Sequence, residues 1–252
     1  MTEQRPEPTV ELPNRQTPFS EPFREFIPQG WAPYPDALPN PLPAAVWTPQ
    51  RRDAIAAAFP GERLVIPAGE LKPRANDTDY RFRPHSAFAH LSGLGADREP
   101  GSVLVLEPTD AGPAATLYFK PRAPRTDPEF YADARYGEMW VGTRESLAEM
   151  AALTGLACAP ISELPAALAK NLDAVSVRIV RTADADLTVT LDGLRTEHAV
   201  DVVQARVADD DLLVALSEQL PAKDDFELAE LRAACAATAV GFEAVVADIQ
   251  SC

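Results

Sequence analysis

Three histidines, His85, His90 and His198, are the side chains in this 252-residue sequence best suited to holding a metal or moving a proton near neutral pH. His85 and His90 stand five residues apart. That spacing puts them about 140° apart around a helix and on opposite faces of a strand, so neither conformation lets them share an ion. A nucleophile is no easier to assemble. Ser86 with His90 would need an acid to orient the imidazole, and no acid can be placed there by spacing. No serine sits in a G-x-S-x-G turn. Cys158 lies in an apolar Leu-Ala-Cys-Ala-Pro setting, which raises a thiol pKa and quiets it. Cys235 reads as a small hydrophobe on a helix face. With Cys252 they make three widely spaced cysteines and no C-x-x-C, which argues against a zinc ribbon or a disulfide framework. Gly93 and Gly95 form a G-x-G without its third glycine, and no G-x-x-x-x-G-K occurs.

Charge narrows the partners. The net charge of −15 and a pI near 4.6 repel phosphates and anionic lipid, so neither nucleic acid nor membrane is expected. Arg122, Arg125 and Arg135 are scattered, without interleaved aromatics for stacking bases. Apolar runs such as 103–106 are far shorter than the ~20 residues a membrane span needs. The N-terminal residues are polar and lack a signal-like apolar region, and reduced thiols fit the cytoplasm. A cytoplasmic, soluble chain is the expectation.

Hydrophobic residues make up 46 %, enough for a substantial core. Twelve of the 25 prolines fall in the first 50 residues, which marks residues 1–22 as a disordered, Pro-rich tail. Residues 23–47 mix prolines with aromatics and are expected to lie extended across a surface, burying Trp31 and Phe26 on their own domain or on a partner. Thr48-Pro49 then opens a helix, with Thr as cap and Pro in the first turn. Strands are expected at 63–67, 102–107, 115–119, 175–180 and 187–191, the second and third forming a hairpin. Helices are expected from Ser146, with Glu149 completing a capping box, at 162–172 and at 209–220. Alternating strands and helices with one hairpin predict an α/β domain over 23–220: a mixed β-sheet flanked by helices, followed by one long C-terminal helix.

That last helix has its own signature. Asp224 caps it, with Glu227 three residues on. Leu228, Leu231, Cys235, Thr238, Phe242, Val245 and Ile249 then alternate three and four apart, an almost wholly apolar stripe of about six turns. Such a stripe calls for a cover, either a second copy of the helix or a further domain.

Three segments carry a family resemblance. The run from Asn76 to Gly93 (NDTDYRFRPHSAFAHLSG) resembles the signature segment of the aminopeptidase P N-terminal domain, found in Xaa-Pro aminopeptidases among the creatinase/prolidase-like metallopeptidases. Glu138 to Arg144 (EMWVGTR) is similar to a second family feature lying just before a helix. Lys223 to Ala234 (KDDFELAELRAA) resembles the helix that opens the family's catalytic domain. His85 stands where the family often has Asp, and His90 where Tyr is common. The resemblance spans about residues 50–250.

What it implies is specific. The fold would be the creatinase/prolidase N-terminal type, and 221–252 would be a linker and the leading helix of a catalytic domain absent from this chain. The complete enzyme would remove the N-terminal residue from Xaa-Pro peptides with two Mn ions held in that other domain. No cofactor, no metal and no catalytic residue is expected on this chain. Its role would be substrate selection and homo-oligomer contacts, with Arg83, His85 and His90 bordering a substrate entrance. A stand-alone peptide-binding or oligomerisation module is the alternative. In the purely structural reading, Phe82, Phe88 and Leu91 are core, Arg83 pairs with an internal carboxylate, Trp140 anchors a helix on the sheet and Gly142 allows a close approach.

Overall fold

The computed structural model describes residues 19–76 and 78–251. Among the described residues, seven strands form two sheets: β1 (Arg63–Pro67), β4 (Val103–Glu107), β5 (Ala114–Phe119), β6 (Ala157–Pro160) and β7 (Val177–Ile179) in one, and β2 (Pro73–Ala75) with β3 (Thr78–Asp79) in a small hairpin. The main sheet runs β6-β5-β4-β1-β7. It is antiparallel at β5/β4 and β4/β1, and parallel at β6/β5 and β1/β7. The mixed sheet expected from the pattern is therefore present, hairpin included. The β2/β3 hairpin and β6 were not foreseen, because they are short and carry little apolar alternation.

Strand β1 is buried at all five positions, the mark of a central strand covered on both faces. Side-chain alternation divides it. Leu64 and Ile66 pack with Phe88, Leu104, Leu117, Met150 and Leu212, while Val65 packs with Val105, Leu168, Ile179 and Leu191. The first layer is supplied by α2 (Thr48–Ala58), α3 (Ser86–Ser92), α6 (Leu147–Thr154) and α9 (Val202–Gln219). The second comes from α7 (Leu164–Ala169) and α8 (Ala185–Glu197). Each fully buried Leu or Phe contributes roughly 1.5–3 kcal/mol, so the body is held mainly by these two layers.

Several expectations are corrected. Residues 187–191 form no strand. They lie inside α8, because Asp184 accepts from the Leu187 amide at 2.9 Å and its carbonyl receives Thr188 Oγ1 at 2.6 Å. The β-branched Thr-Val-Thr run disguised a helix that buries Thr188, Leu191 and Arg195. Helix α9 starts at Val202, ahead of the expected 209, since Asp201 caps the Val203 and Gln204 amides. Thr48 does not cap α2. Its hydroxyl donates back to the Ala45 carbonyl and accepts from Arg52 at 2.8 Å. The Ser146–Glu149 capping box of α6 is present as expected.

The N-terminal segment is not simply extended. Helix α1 (Glu21–Phe26) leads to Ile27, which is buried with Phe130 and Tyr131 of α4 (Glu129–Ala132). Phe19 stacks on Phe23 and meets Tyr131 edge-on, so the expected tail ends before residue 22; residues 1–18 of it lie outside the described residues. Phe26 is exposed, and Trp31 is half-covered, edge-on to Phe130 at 5.2 Å. Helix α10 (Asp225–Ser251) closes the chain as one 27-residue element. Among the described residues, no helix is long and apolar enough to cross a membrane.

Candidate functional site

The signature segment builds one wall of a cleft of about 310 Å³. Its lining includes Glu70, Lys72, Tyr80, Arg83, His85 and Thr182. The chain reaches it because β1 ends at Pro67 and Gly69 turns at φ +89°, a conformation in which a side chain is strained. A Cβ at Gly69 would also lie 2.8 Å from the Ala183 carbonyl oxygen, so the glycine is required twice over.

His85 is the N-cap of α3. Its Nδ1 accepts from the Ala87 amide at 3.3 Å, which leaves the proton on Nε2, 3.4 Å from Thr182 Oγ1. Burial lowers its pKa, so the ring is neutral. With Nδ1 occupied and Nε2 donating, His85 cannot deprotonate Thr182, and the pair makes no activated nucleophile. Glu70 is pushed up, first by burial and then by Asp184, with Arg135 opposing. Lys72 and Arg83 carry no ion pair among the described residues. Arg83 is exposed, so its guanidinium is available to the cleft rather than spent on an internal carboxylate. Two cations without an ion pair among the described residues, beside a neutral imidazole and a hydroxyl, can receive a carboxylate or a peptide carbonyl.

His90 is elsewhere. It is 6 % exposed, does not line the cleft, and faces α2 and the root of α10, with Nδ1 3.1 Å from Glu227 Oε1. The structure thus brings Arg83 and His85 together and separates His90 from them. Helix α3 explains this, because the capping residue and the last turn point different ways. Glu70, Lys72 and Thr182 lay outside the sequence reading; Thr182 is 97 positions from His85, a pairing no local pattern reveals.

The Glu138–Arg144 stretch is a polar knot rather than a packing anchor. Glu138 accepts from the Arg144 amide at 2.8 Å and from the Tyr34 hydroxyl. Arg144 is buried against Glu99, with Nη2 2.8 Å from its carboxylate. Burial, ahead of the opposing Arg144, raises the Glu99 carboxyl. Trp140, on α5 (Glu138–Val141), does not anchor on the sheet. It is 59 % exposed and donates Nε1–H to the Tyr131 carbonyl at 2.7 Å. Gly142 is needed for its φ of +87°, not for closeness, since nothing lies within 4 Å of a Cβ there. The close approach belongs to Gly137, where a Cβ would come within 2.4–2.8 Å of three carbonyl oxygens of residues 129, 130 and 133.

Cys158 is half-buried in β6, and burial raises its thiol to about 11. Cys235 is exposed, not packed as a hydrophobe. Among the described residues, no group of three or more His, Cys, Asp or Glu is arranged to hold a metal ion, and the described residues do not fit a two-metal centre.

The chain is, in class, a mixed-sheet α/β domain with a polar cleft beside the ends of β1 and β7. Comparison gives the family. The aminopeptidase P N-terminal domain matches residues 48–180, and the chain belongs to that family. It is 41 % identical over 245 residues to Xaa-Pro aminopeptidase 1 of Streptomyces coelicolor, covering 97 % of this chain and 47 % of the relative. It is 40 % identical over 221 residues to Xaa-Pro aminopeptidase 2 of the same organism, covering 87 % and 44 %. The chain thus spans about half the length of the curated relatives it matches. The structure of Pseudomonas aeruginosa aminopeptidase PepP shares the fold at TM-score 0.50 and 22 % identity, over 62 % of this chain and 33 % of that one.

Proposed function

We propose that this chain is the N-terminal, non-catalytic portion of a Xaa-Pro metalloaminopeptidase, an enzyme that removes the N-terminal residue from Xaa-Pro peptides. The observation that carries the reading is the match to Xaa-Pro aminopeptidase 1, which runs along 97 % of the chain. In this reading residues 23–220 are the recognition domain and 221–252 the linker and leading helix of a catalytic domain. Two manganese ions would be held outside these residues. Arg83 and His85 border the path of the peptide, with Lys72 beside them to receive its negative end. The exposed apolar side chains of α10, Leu231, Phe242, Val245 and Ile249, await the catalytic domain, and contacts between copies complete a homo-oligomer in the cytoplasm.

The test is an assay of the 252-residue chain on a short Xaa-Pro peptide, with and without Mn²⁺, alongside amide NMR titration with the same peptide. No residue release, with shifts confined to the 69–85 and 182–183 segments, is the expected result. Metal-dependent release by this chain overturns the non-catalytic assignment. Shifts that survive Arg83→Ala unchanged overturn the role of Arg83.

A further inference from the structure

The charged cluster at the root of α10 plays no part in the cleft. Arg51, on α2, sends Nε and Nη2 to one oxygen of Asp224 at 2.8 and 2.6 Å, and Nη1 to the His90 carbonyl at 2.9 Å. Asp224 caps α10, accepting from the Glu227 amide at 2.9 Å. Glu227 then reaches His90 Nδ1 at 3.1 Å. From residue 229 to residue 249 every position of α10 is exposed. Four side chains at one corner are therefore the polar attachment of a 27-residue helix.

That attachment is unsaturated. Nε2 of His90 and Oε2 of Glu227 are buried and have no hydrogen-bond partner among the described residues. Buried polar atoms without partners weaken the arrangement that contains them. The geometry accepts neutral His90: Nδ1–H donates to Glu227 and Nε2 keeps a bare lone pair. A second proton would create an N–H donor with nothing to receive it. The new charge would face Arg51 from α2 and Lys223 from the linker, against Glu227 and Asp224 at the start of α10. Burial is the largest influence and leaves His90 below its ordinary 6.5.

We infer that this cluster is a proton-operated joint: neutral His90 seats α10 on the body of the domain, and protonation of His90 unseats it. The sign follows from linkage. An unseated His90 regains its ordinary 6.5, so the unseated form binds more protons as pH falls. Seating is complete above that pH. Below it, seating weakens by up to about tenfold per pH unit, the slope for one proton, until the seated form itself titrates.

Hydrogen exchange read by NMR tests this on the 252-residue chain. The reporters are the Glu227 and Leu228 amides, which donate to the Asp224 side chain and carbonyl; the reference is the Leu104 amide in β4. Between about pH 7.5 and pH 5, protection of the reporters relative to the reference is expected to fall, by up to about tenfold per unit. His90→Gln, which cannot gain a proton, is expected to hold the ratio flat. Glu227→Gln removes the carboxylate that favours protonated His90, so the loss should extend to lower pH. An unchanged ratio in the natural chain overturns the joint, as does an undiminished loss in His90→Gln. If His90→Gln does not fold, Glu227→Gln decides: a loss identical to that of the natural chain overturns the proposal.

Discussion

At the junction of β7, α8 and α9, Asp209 has a fully buried side chain and spends both oxygens. Arg195 gives it two hydrogen bonds at 2.8 and 2.9 Å, Arg181 one at 2.9 Å, and the Ile179 amide another at 2.9 Å. Arg195 also donates to the Val177 carbonyl, and Asp192 is held down to about 2, most of all by Arg181. At the root of α10, Asp224 and Glu227 keep 14 % and 18 % of their side chains exposed, and two buried atoms go unpaired. Both clusters join an arginine to carboxylates across three elements. The first is saturated at the fully buried Asp209, and its rim carboxylate Asp192 is held well below the usual carboxylate range. The second is partly wet, partly unsatisfied and contains a histidine. Saturation makes a charged cluster a fixed part of a core, whereas an orphaned donor or acceptor leaves a contact that can give way.

Three substitutions break or sharpen the contrast. Asp209→Ala strips two hydrogen bonds from the buried Arg195, leaving Asp192 as its carboxylate, orphans the Ile179 amide, and should cost about 3–5 kcal/mol in urea unfolding. A loss below about 1 kcal/mol would mean water reaches the first cluster and the distinction fails. Asp224→Ala removes a cap and the main partner of Arg51, but Arg51 keeps the His90 carbonyl. Its cost should be about 1–3 kcal/mol by the same measurement, smaller than that of Asp209→Ala. Phe242→Ser, at a side chain 69 % exposed, should change stability by less than about 0.5 kcal/mol. A larger, concentration-dependent loss would show that copies of this chain cover the α10 stripe.

Much of the fold was legible in the sequence. The hydrophobic runs of β1 and β4 mark buried strands and that of β5 a strand beside them, the Pro- and Gly-containing turn between 107 and 114 marks the β4/β5 hairpin, and Ser146–Glu149 marks a helix start. Residues 187–191 misled because β-branched residues suit a strand, while the cap that decides the matter, Asp184, lies outside the run. The candidate site was legible only in part. Arg83 and His85 stand in a recognisable segment, yet their cleft takes Glu70 from the turn after β1 and Thr182 from the turn after β7.

The sequence by itself determined the layers of this protein, because apolar periodicity is a local property and each strand or helix states which face it must bury. It also determined the family, through three ordered segments. Tertiary structure alone decided what the histidines do. Only folding puts His85 against Thr182, and His90 against Glu227, 137 positions away. Burial, hydrogen-bond partners and neighbouring charges set a titratable group's behaviour, and all three are properties of the assembled space around it rather than of its neighbours in the chain.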